Sequence, residues 1–320
     1  MVTKYQDLAR TGNVRPSRFV SSVSVILYFY FFLGGILASF PLIYVLINNK
    51  NALFDPVMRT DTMEFIEKYV SPVPNYIFTN LSIYCMLLGV FIAVKWIHKR
   101  PFGTLINYNA RIKWSRFWIG FLVYGTLISM GTAVDYIMNP ETYTLSIDSS
   151  KFWITLPLIL IMTPLQTTTE ELVFRGYVIQ SFGLKIKNGL ILSLISGVLF
   201  TLPHLANPEI YASNKLGVFS TICMILNYFV IGMVLAMITI RTNSLEAAMG
   251  AHAVNNLFCF LLVGYPDTAL PTNTVFFTSS FEPVGGLVSA LITAALFYII
   301  TAVLIKNPEL SAASTQENLN

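Results

Sequence analysis

The sequence predicts an all-α, polytopic transmembrane helical bundle of about eight membrane helices, and three observations predict it. Hydrophobic residues make up 55% of the 320 and charged residues only 11%, where a soluble domain carries about 25% charged residues. The apolar residues gather into runs near the ~20 residues that a spanning helix needs. Lys and Arg crowd into alternate connections between those runs, as the positive-inside tendency of membrane proteins requires.

The chain opens with a polar, basic segment, residues 1–19, carrying Lys4, Arg10, Arg15 and Arg18. The apolar run at 20–47 is too long for the h-region of a cleavable signal peptide and reads as a first membrane helix kept in the mature protein. Further spans are expected at 76–97, 117–138, 152–182, 189–206, 217–240, 245–264 and 284–305. The fifth and seventh are short and the fourth is long. Residues 20–305 thus form one transmembrane domain. The small, polar tail at 306–320 is expected to be disordered. Cys85, Cys223 and Cys259 lie in apolar stretches without a CxxC spacing, and read as small buried hydrophobes.

With eight spans, one set of connections holds the N-terminus, 98–116, 183–188, 241–244 and the C-terminal tail. That set carries Lys4, Arg10, Arg15, Arg18, Lys95, Lys99, Arg100, Arg111, Lys113, Arg116, Lys185, Lys187, Arg241 and Lys306. The opposite set holds only Lys50, Arg59, Lys68, Lys151 and Lys215, among Asp55, Asp61, Glu64, Glu67, Glu141, Asp148, Glu209, Asp267 and Glu282. Both termini are therefore expected on the cytoplasmic side of a cell membrane. Basic and aromatic residues interleave from Lys99 to Phe117. Between two spans, this segment reads as an interfacial stretch facing anionic headgroups rather than a nucleic-acid patch.

Against that frame a few ionisable residues stand out. Each costs about 2.5–3.5 kcal/mol at the centre of a membrane helix on insertion scales. Asp135 and Glu246 fall near span ends, where water is in reach, and His98 sits beside Lys99 and Arg100 at an interface. The deep ones are Glu170, Glu171, Arg175, His204 and His252. Glu171 and Arg175 are four apart and can pair across a helical turn. Glu170 is rotated about 100° from Glu171 and is free to face elsewhere. Phe200 lies one turn before His204, with Pro203 loosening the helix there. His252 and Asn256 share a face, and Gly250 permits close helix approach.

Each of these has a plainer reading. Glu171 with Arg175 serves equally as a structural ion pair, a single membrane histidine is more often an interhelical hydrogen-bond donor, and Asn255 and Asn256 are both candidates for interhelical glue. Phe200 is core in any reading. Depth ties the set together. With spans four and five folded into a hairpin near 183–188, Glu170 and His204 both lie some 23 Å from the turn at roughly 1.5 Å per residue. His252 lies roughly 10 Å into the seventh span on the same rise. The levels agree if the turn projects about 10 Å beyond the membrane, which predicts a site about one-third of the way into the bilayer and open to the cytoplasm.

EExxxR (Glu170, Glu171, Arg175), FxxxH (Phe200, His204) and HxxxN (His252, Asn256) occur in that order on successive helices. Together they resemble the three motifs of the CPBP family of intramembrane proteases, also called the Abi or CAAX type II family. The resemblance covers roughly residues 152–264, all three motifs are intact, and that stretch becomes the expected protease core.

The resemblance implies peptide-bond hydrolysis inside the membrane, by Glu170 as general base for a water held with His204. His252 and Asn256 are implied as oxyanion donors, with Arg175 orienting the glutamates and Glu171 assisting or supporting. A metal version would use Glu170, His204 and His252 as a two-histidine, one-carboxylate set for Zn²⁺ with an open position for water. HExxH is absent, so a conventional zincin is excluded. The implied partners are the bilayer and a peptide or membrane-protein substrate, with no nucleic acid. No motif specifies an oligomeric state. Two other classes compete: a non-catalytic immunity or regulatory scaffold of the same family, and a proton-coupled carrier built on the same buried carboxylates. The lack of an evident internal repeat counts against the carrier.

Overall fold

The computed structural model of the chain describes residues 4–60 and 62–306. The first three residues and the expected disordered tail beyond Lys306 lie outside them. Six helices are long and apolar enough to cross a membrane: α1 (Pro16–Asn48), α2 (Pro72–Ile97), α3 (Trp114–Met138), α4 (Ser149–Phe182), α7 (Val218–Thr242) and α9 (Pro283–Leu304). Between them lie α5 (Gly189–His204) and α6 (Pro208–Lys215), which become a seventh span only if the pair, bent by 82°, is taken as one. The last helix is α8 (Glu246–Leu257), prolonged by a π turn over Phe258–Leu262.

The expected segments are all helical, but the count of eight full spans is not reached. The stretch from Glu246 to Leu262 falls short of the ~20 residues that cross a bilayer. α5 likewise ends at His204 and turns sharply into α6.

Helix starts follow local chemistry that hydropathy does not register. Pro16, Pro72, Pro208 and Pro283 stand at first helical positions, where a missing N–H loses nothing and the ring presets φ. α1 and α2 therefore begin four residues earlier than their apolar runs. Asp148 and Asn188 cap α4 and α5, their side-chain oxygens accepting from the backbone two and three residues on. Pro157 and Pro164 sit inside α4 without breaking it.

The bundle has two unlike ends. The basic end gathers the N-terminus, the 98–113 connection, the α4–α5 turn and Asn243. Its N-terminal segment is not a loose extension. Tyr5 and Leu8 are buried against Ile179 and Leu192, and the Tyr5 hydroxyl donates to the Leu105 carbonyl. The acidic end holds short helices at Lys50–Leu53, Val57–Thr60 and Thr62–Tyr69. It also carries a three-stranded sheet that an all-α reading did not anticipate. β1 (Tyr143–Leu145) runs antiparallel to β3 (Phe276–Thr278), pairing Tyr143 with Thr278, and β2 (Val263–Gly264) runs parallel to β3 on its other side.

Glycine sets the closest helix approach. At Gly250 an added Cβ would lie 2.1 Å from the Phe117 carbonyl oxygen, and at Gly120 only 2.0 Å from that of Ala247. Backbone touches backbone there, which pins α8 against α3 and sets the level of His252.

Candidate active site

α4 carries the first motif at the step from α-helix to a π turn over Leu172–Val178, a local widening that recurs at functional sites. Glu171 points into the bundle and is fully buried, as is Arg175. Arg175 Nη1 donates to Glu171 Oε1 at 2.8 Å, and Nη2 donates to the Gly232 carbonyl at 3.2 Å. The guanidinium lies 4.2 Å from the centre of the Phe200 ring, a cation–π contact in a dry setting. Gly232 is required for it: a side chain there would run into the Phe200 ring and Gly197.

The same Glu171 oxygen accepts from His252 Nδ1 at 2.8 Å. A carboxylate in that role holds the imidazole with its proton on Nδ1 and turns Nε2 the other way. Nε2 faces the second glutamate, 3.9 Å from Glu170 Oε2. The two adjacent carboxylates thus embrace one histidine from both sides. Glu170 keeps a small exposed surface, 8%, and its Oε1 accepts from Gln166 Nε2 at 3.4 Å, one turn earlier.

His204 is fixed by its own helix. Its Nδ1 lies 2.7 Å from the Phe200 carbonyl, and a carbonyl only accepts, so Nδ1 carries the proton and Nε2 presents a lone pair. The ring is held between Phe200 and Tyr228, with centroids 4.5 Å from each. The Tyr228 hydroxyl in turn accepts from Asn207 Nδ2 at 3.0 Å, which ties α7 to the bend between α5 and α6.

Glu170 and His204 share the wall of a cavity of about 520 Å³, within the range of ligand sites. Its inner part is bounded by Gln166, Phe174 and Met86, and its outer part by Val70, Pro208 and Leu270. The rim residues belong to the acidic end, not to the basic end that the depth argument had chosen as the opening. The cause is the bend after His204: α5 stops short, and α6 and the 264–271 segment frame a mouth where a straight span would have closed the bundle.

Six of the seven singled-out residues are thereby brought together: Glu170, Glu171, Arg175, Phe200, His204 and His252. Asn256 lies one turn beyond His252 and does not line the cavity. Its Oδ1 accepts from Asn255 Nδ2 at 3.1 Å, which leaves its NH₂ group to donate.

The alternative Zn²⁺ set, Glu170, His204 and His252, is not drawn round one point. Among the described residues no three His, Cys, Asp or Glu side chains converge to hold a metal ion. Each imidazole is anchored through its own Nδ1, to Phe200 or to Glu171, and Glu170 is engaged by Gln166. Nδ1 anchoring of this kind is also how metal-bound imidazoles are oriented, and it leaves the two Nε2 atoms and Glu170 as the donors that a Zn²⁺ would take.

Three residues placed near water by their sequence positions are buried. Glu246 is fully enclosed, accepting from Asn107 Nδ2 at 2.5 Å and from the Lys113 N–H at 3.0 Å. His98 is 2% exposed, with Nδ1 at 2.7 Å from the Asn13 carbonyl and Nε2 at 3.0 Å from the Tyr177 hydroxyl. Glu209 accepts from the Ala269 N–H at 2.9 Å and the Tyr265 hydroxyl at 3.2 Å, clasping the rim segment to α6. Of the site residues missed, Gln166 was within reach, being polar in an apolar helix and one turn from Glu170. Gly232, Tyr228 and Asn207 carry no sequence signal, because their roles arise only when α5 and α7 pack.

These features define a class: a helical integral membrane protein with a glutamate–arginine–histidine cluster at the inner end of a protein-walled cavity. Residues 150–258 match the family described as type II CAAX prenyl endopeptidase Rce1-like. The uncharacterized protein YyaK of Bacillus subtilis (strain 168) is 36% identical over 232 residues, covering 72% of this chain and 73% of that one. The chain belongs to the Rce1-like family, which is a family of membrane proteases. No solved structure matches it.

Proposed function

We propose that the protein is an intramembrane endopeptidase in which Glu170 activates water. The observation that carries the reading is the division of labour between neighbours: Glu171 is consumed by Arg175 and His252, while Glu170 faces the cavity. A purely structural pair has no need of the second carboxylate.

A water bound between Glu170 and the His204 Nε2 lone pair is positioned for attack on a peptide carbonyl entering the cavity. Glu170 takes one proton as the water oxygen bonds to the carbonyl carbon. The oxyanion needs donors. His252 supplies one from Nε2 when it carries a second proton, its Nδ1–H still held by Glu171, whereas Asn256, off the cavity wall, would have to turn its amide inward to add another. Glu170 then returns its proton to the amide nitrogen, the C–N bond breaks, and a carboxylate and an amine leave. Glu171 and Arg175 stay paired and act by positioning.

The test is cleavage of a pooled peptide library by purified, detergent-solubilised protein. Glu170→Gln keeps shape and the bond from Gln166 but removes the base, so cleavage should fall by about 10²–10⁴-fold with an unchanged unfolding midpoint. His204→Ala should fall with it. Cleavage undiminished in Glu170→Gln sinks the reading and favours the scaffold role. Loss of wild-type cleavage in a chelator would reassign Glu170, His204 and His252 as metal donors.

A further inference from the structure

We propose that the cavity opens on the non-cytoplasmic side of the membrane, and that its substrate is an extended, uncharged segment of an exported or membrane-anchored polypeptide presented from that side. The orientation stands on its own observations, whereas the substrate rests on the endopeptidase reading.

The direction follows from which residues form the walls. Along α2 the cavity runs from Pro72, at the acidic end, to Met86. Fourteen residues of helix are about 21 Å, more than half of a hydrocarbon core of about 30 Å. The outer wall is completed by Val70, Pro208 and Leu270, all from connections at the same end. Those connections hold five of the 20 Lys and Arg residues, and the opposite ones hold fourteen. Charge bias of that size assigns the basic end to the cytoplasm, and the mouth therefore faces away from it.

The way to the basic end is closed. Beyond Phe174 lie Leu172, Val173, Tyr177, Leu105, Leu245 and Met249 in one packed cluster. Behind that layer, Arg100 Nη1 donates to Gln180 Oε1 at 2.6 Å, and Gln180 Nε2 donates to the Thr104 carbonyl at 2.9 Å. A substrate approaching from the cytoplasm would have to unpack both layers.

The walls also specify what enters. Among the described residues no Lys or Arg lines the cavity, and Glu170 is its one carboxylate. Asn75, Thr79, Ser82 and Asn207 bring amide and hydroxyl groups to an otherwise apolar surface. Such groups pair with peptide N–H and C=O without selecting a charge. A length of about 21 Å takes about six residues of extended chain at about 3.3 Å each. A free carboxylate or phosphate headgroup would meet Glu170 with no Lys or Arg among the described wall residues to balance it.

The experiment starts from a variant with Cys85, Cys223 and Cys259 replaced by Ala, into which single cysteines are placed. Asn75→Cys and Thr79→Cys report the cavity, Glu141→Cys the acidic end, and Lys185→Cys the basic end. Intact cells are treated with a small membrane-impermeant thiol reagent. Labelling of the first three without permeabilisation, and of Lys185→Cys only after it, is the expected pattern. Lys185→Cys labelled in intact cells, or the cavity positions labelled only after permeabilisation, overturns the orientation.

The substrate half is read with a library of single-span reporters carrying a tag on each side of the membrane and varied sequence beside the span. Glu170-dependent release of the outer tag supports it. Release of the inner tag alone overturns it. Outward labelling with no Glu170-dependent release of either tag overturns the endopeptidase reading and its substrate, and leaves the orientation standing.

Discussion

The two ends of the molecule differ in where their buried polar groups face: into packed connections at one end, onto a cavity wall at the other. At the basic end the buried polar groups close on one another: Glu246 on Asn107 and Lys113, Arg100 on Gln180, His98 on Asn13 and Tyr177, and Arg116 on the Thr242 carbonyl and Ser244 hydroxyl. At the acidic end short helices and a small sheet leave a cavity, with Glu170 and His204 on its wall. Glu171 and Glu170 sit on the boundary, one belonging to each regime. The committed end is a frame, and rigidity there is what allows one carboxylate to remain available next door.

The strongest way to break that comparison is to exchange the fates of the two glutamates. Glu171→Ala strands Arg175, fully buried, with only the Gly232 carbonyl and the face of Phe200. Removing one partner of a buried pair costs about 3–5 kcal/mol, so the unfolding midpoint in detergent should drop sharply. Glu170→Ala, its neighbour, should barely move it. Glu171→Leu combined with Arg175→Met removes the whole pair and should regain most of the loss. Equal midpoints for the two single alanine variants would mean that the division between frame and cavity is wrong.

Glycines sharpen the same contrast more gently, and on a single helix pair. Gly250→Ala drives a methyl against the Phe117 carbonyl oxygen at 2.1 Å, and backbone cannot yield as a side chain can. Overpacking of this kind costs about 1–3 kcal/mol, and the displacement of His252 should lower cleavage as well. Gly131, near the acidic end of α3, has only the Ser289 hydroxyl at 3.6 Å. Gly131→Ala should be neutral or stabilising by up to ~1 kcal/mol through helix propensity. Thermal unfolding of both variants, with cleavage measured in parallel, decides the point.

How much of this was legible in the sequence depends on the range of the interaction. Helical segments were, since burying about 20 apolar residues needs no partner to be recognised. Glu170, Glu171, Arg175, Phe200, His204 and His252 were legible too, because ionisable groups in lipid demand explanation and helical spacing gives their faces. What escaped was set by tertiary packing. The proline-led starts extend α1 and α2 past their apolar runs. The 82° bend after His204 is hinted at by Pro203 but not its direction, and that direction decides where the cavity opens. Glu246 and His98 were misjudged for one reason: nearness to a span end reads as nearness to water, until a connecting segment such as 98–113 folds back over it.

His98 offers the mildest test of how tightly the basic end is closed. Burial holds its imidazole below the ordinary value, with Arg100 and Arg18 adding to that effect against the opposing pull of the Asn13 carbonyl. The unfolded chain, titrating near 6.5, therefore binds the proton at a higher pH than the folded one. Stability from this group is complete above about pH 6.5 and is lost as pH falls from there towards the lowered folded value, by at most about 1.4 kcal/mol per pH unit. Wild-type protein in detergent should show an unfolding midpoint that declines between pH 7 and pH 5.5. His98→Gln has no proton to bind and should show a shallower decline over the same interval. Parallel slopes would mean that His98 meets water in the folded state, and that the basic end is not the sealed frame on which the site depends.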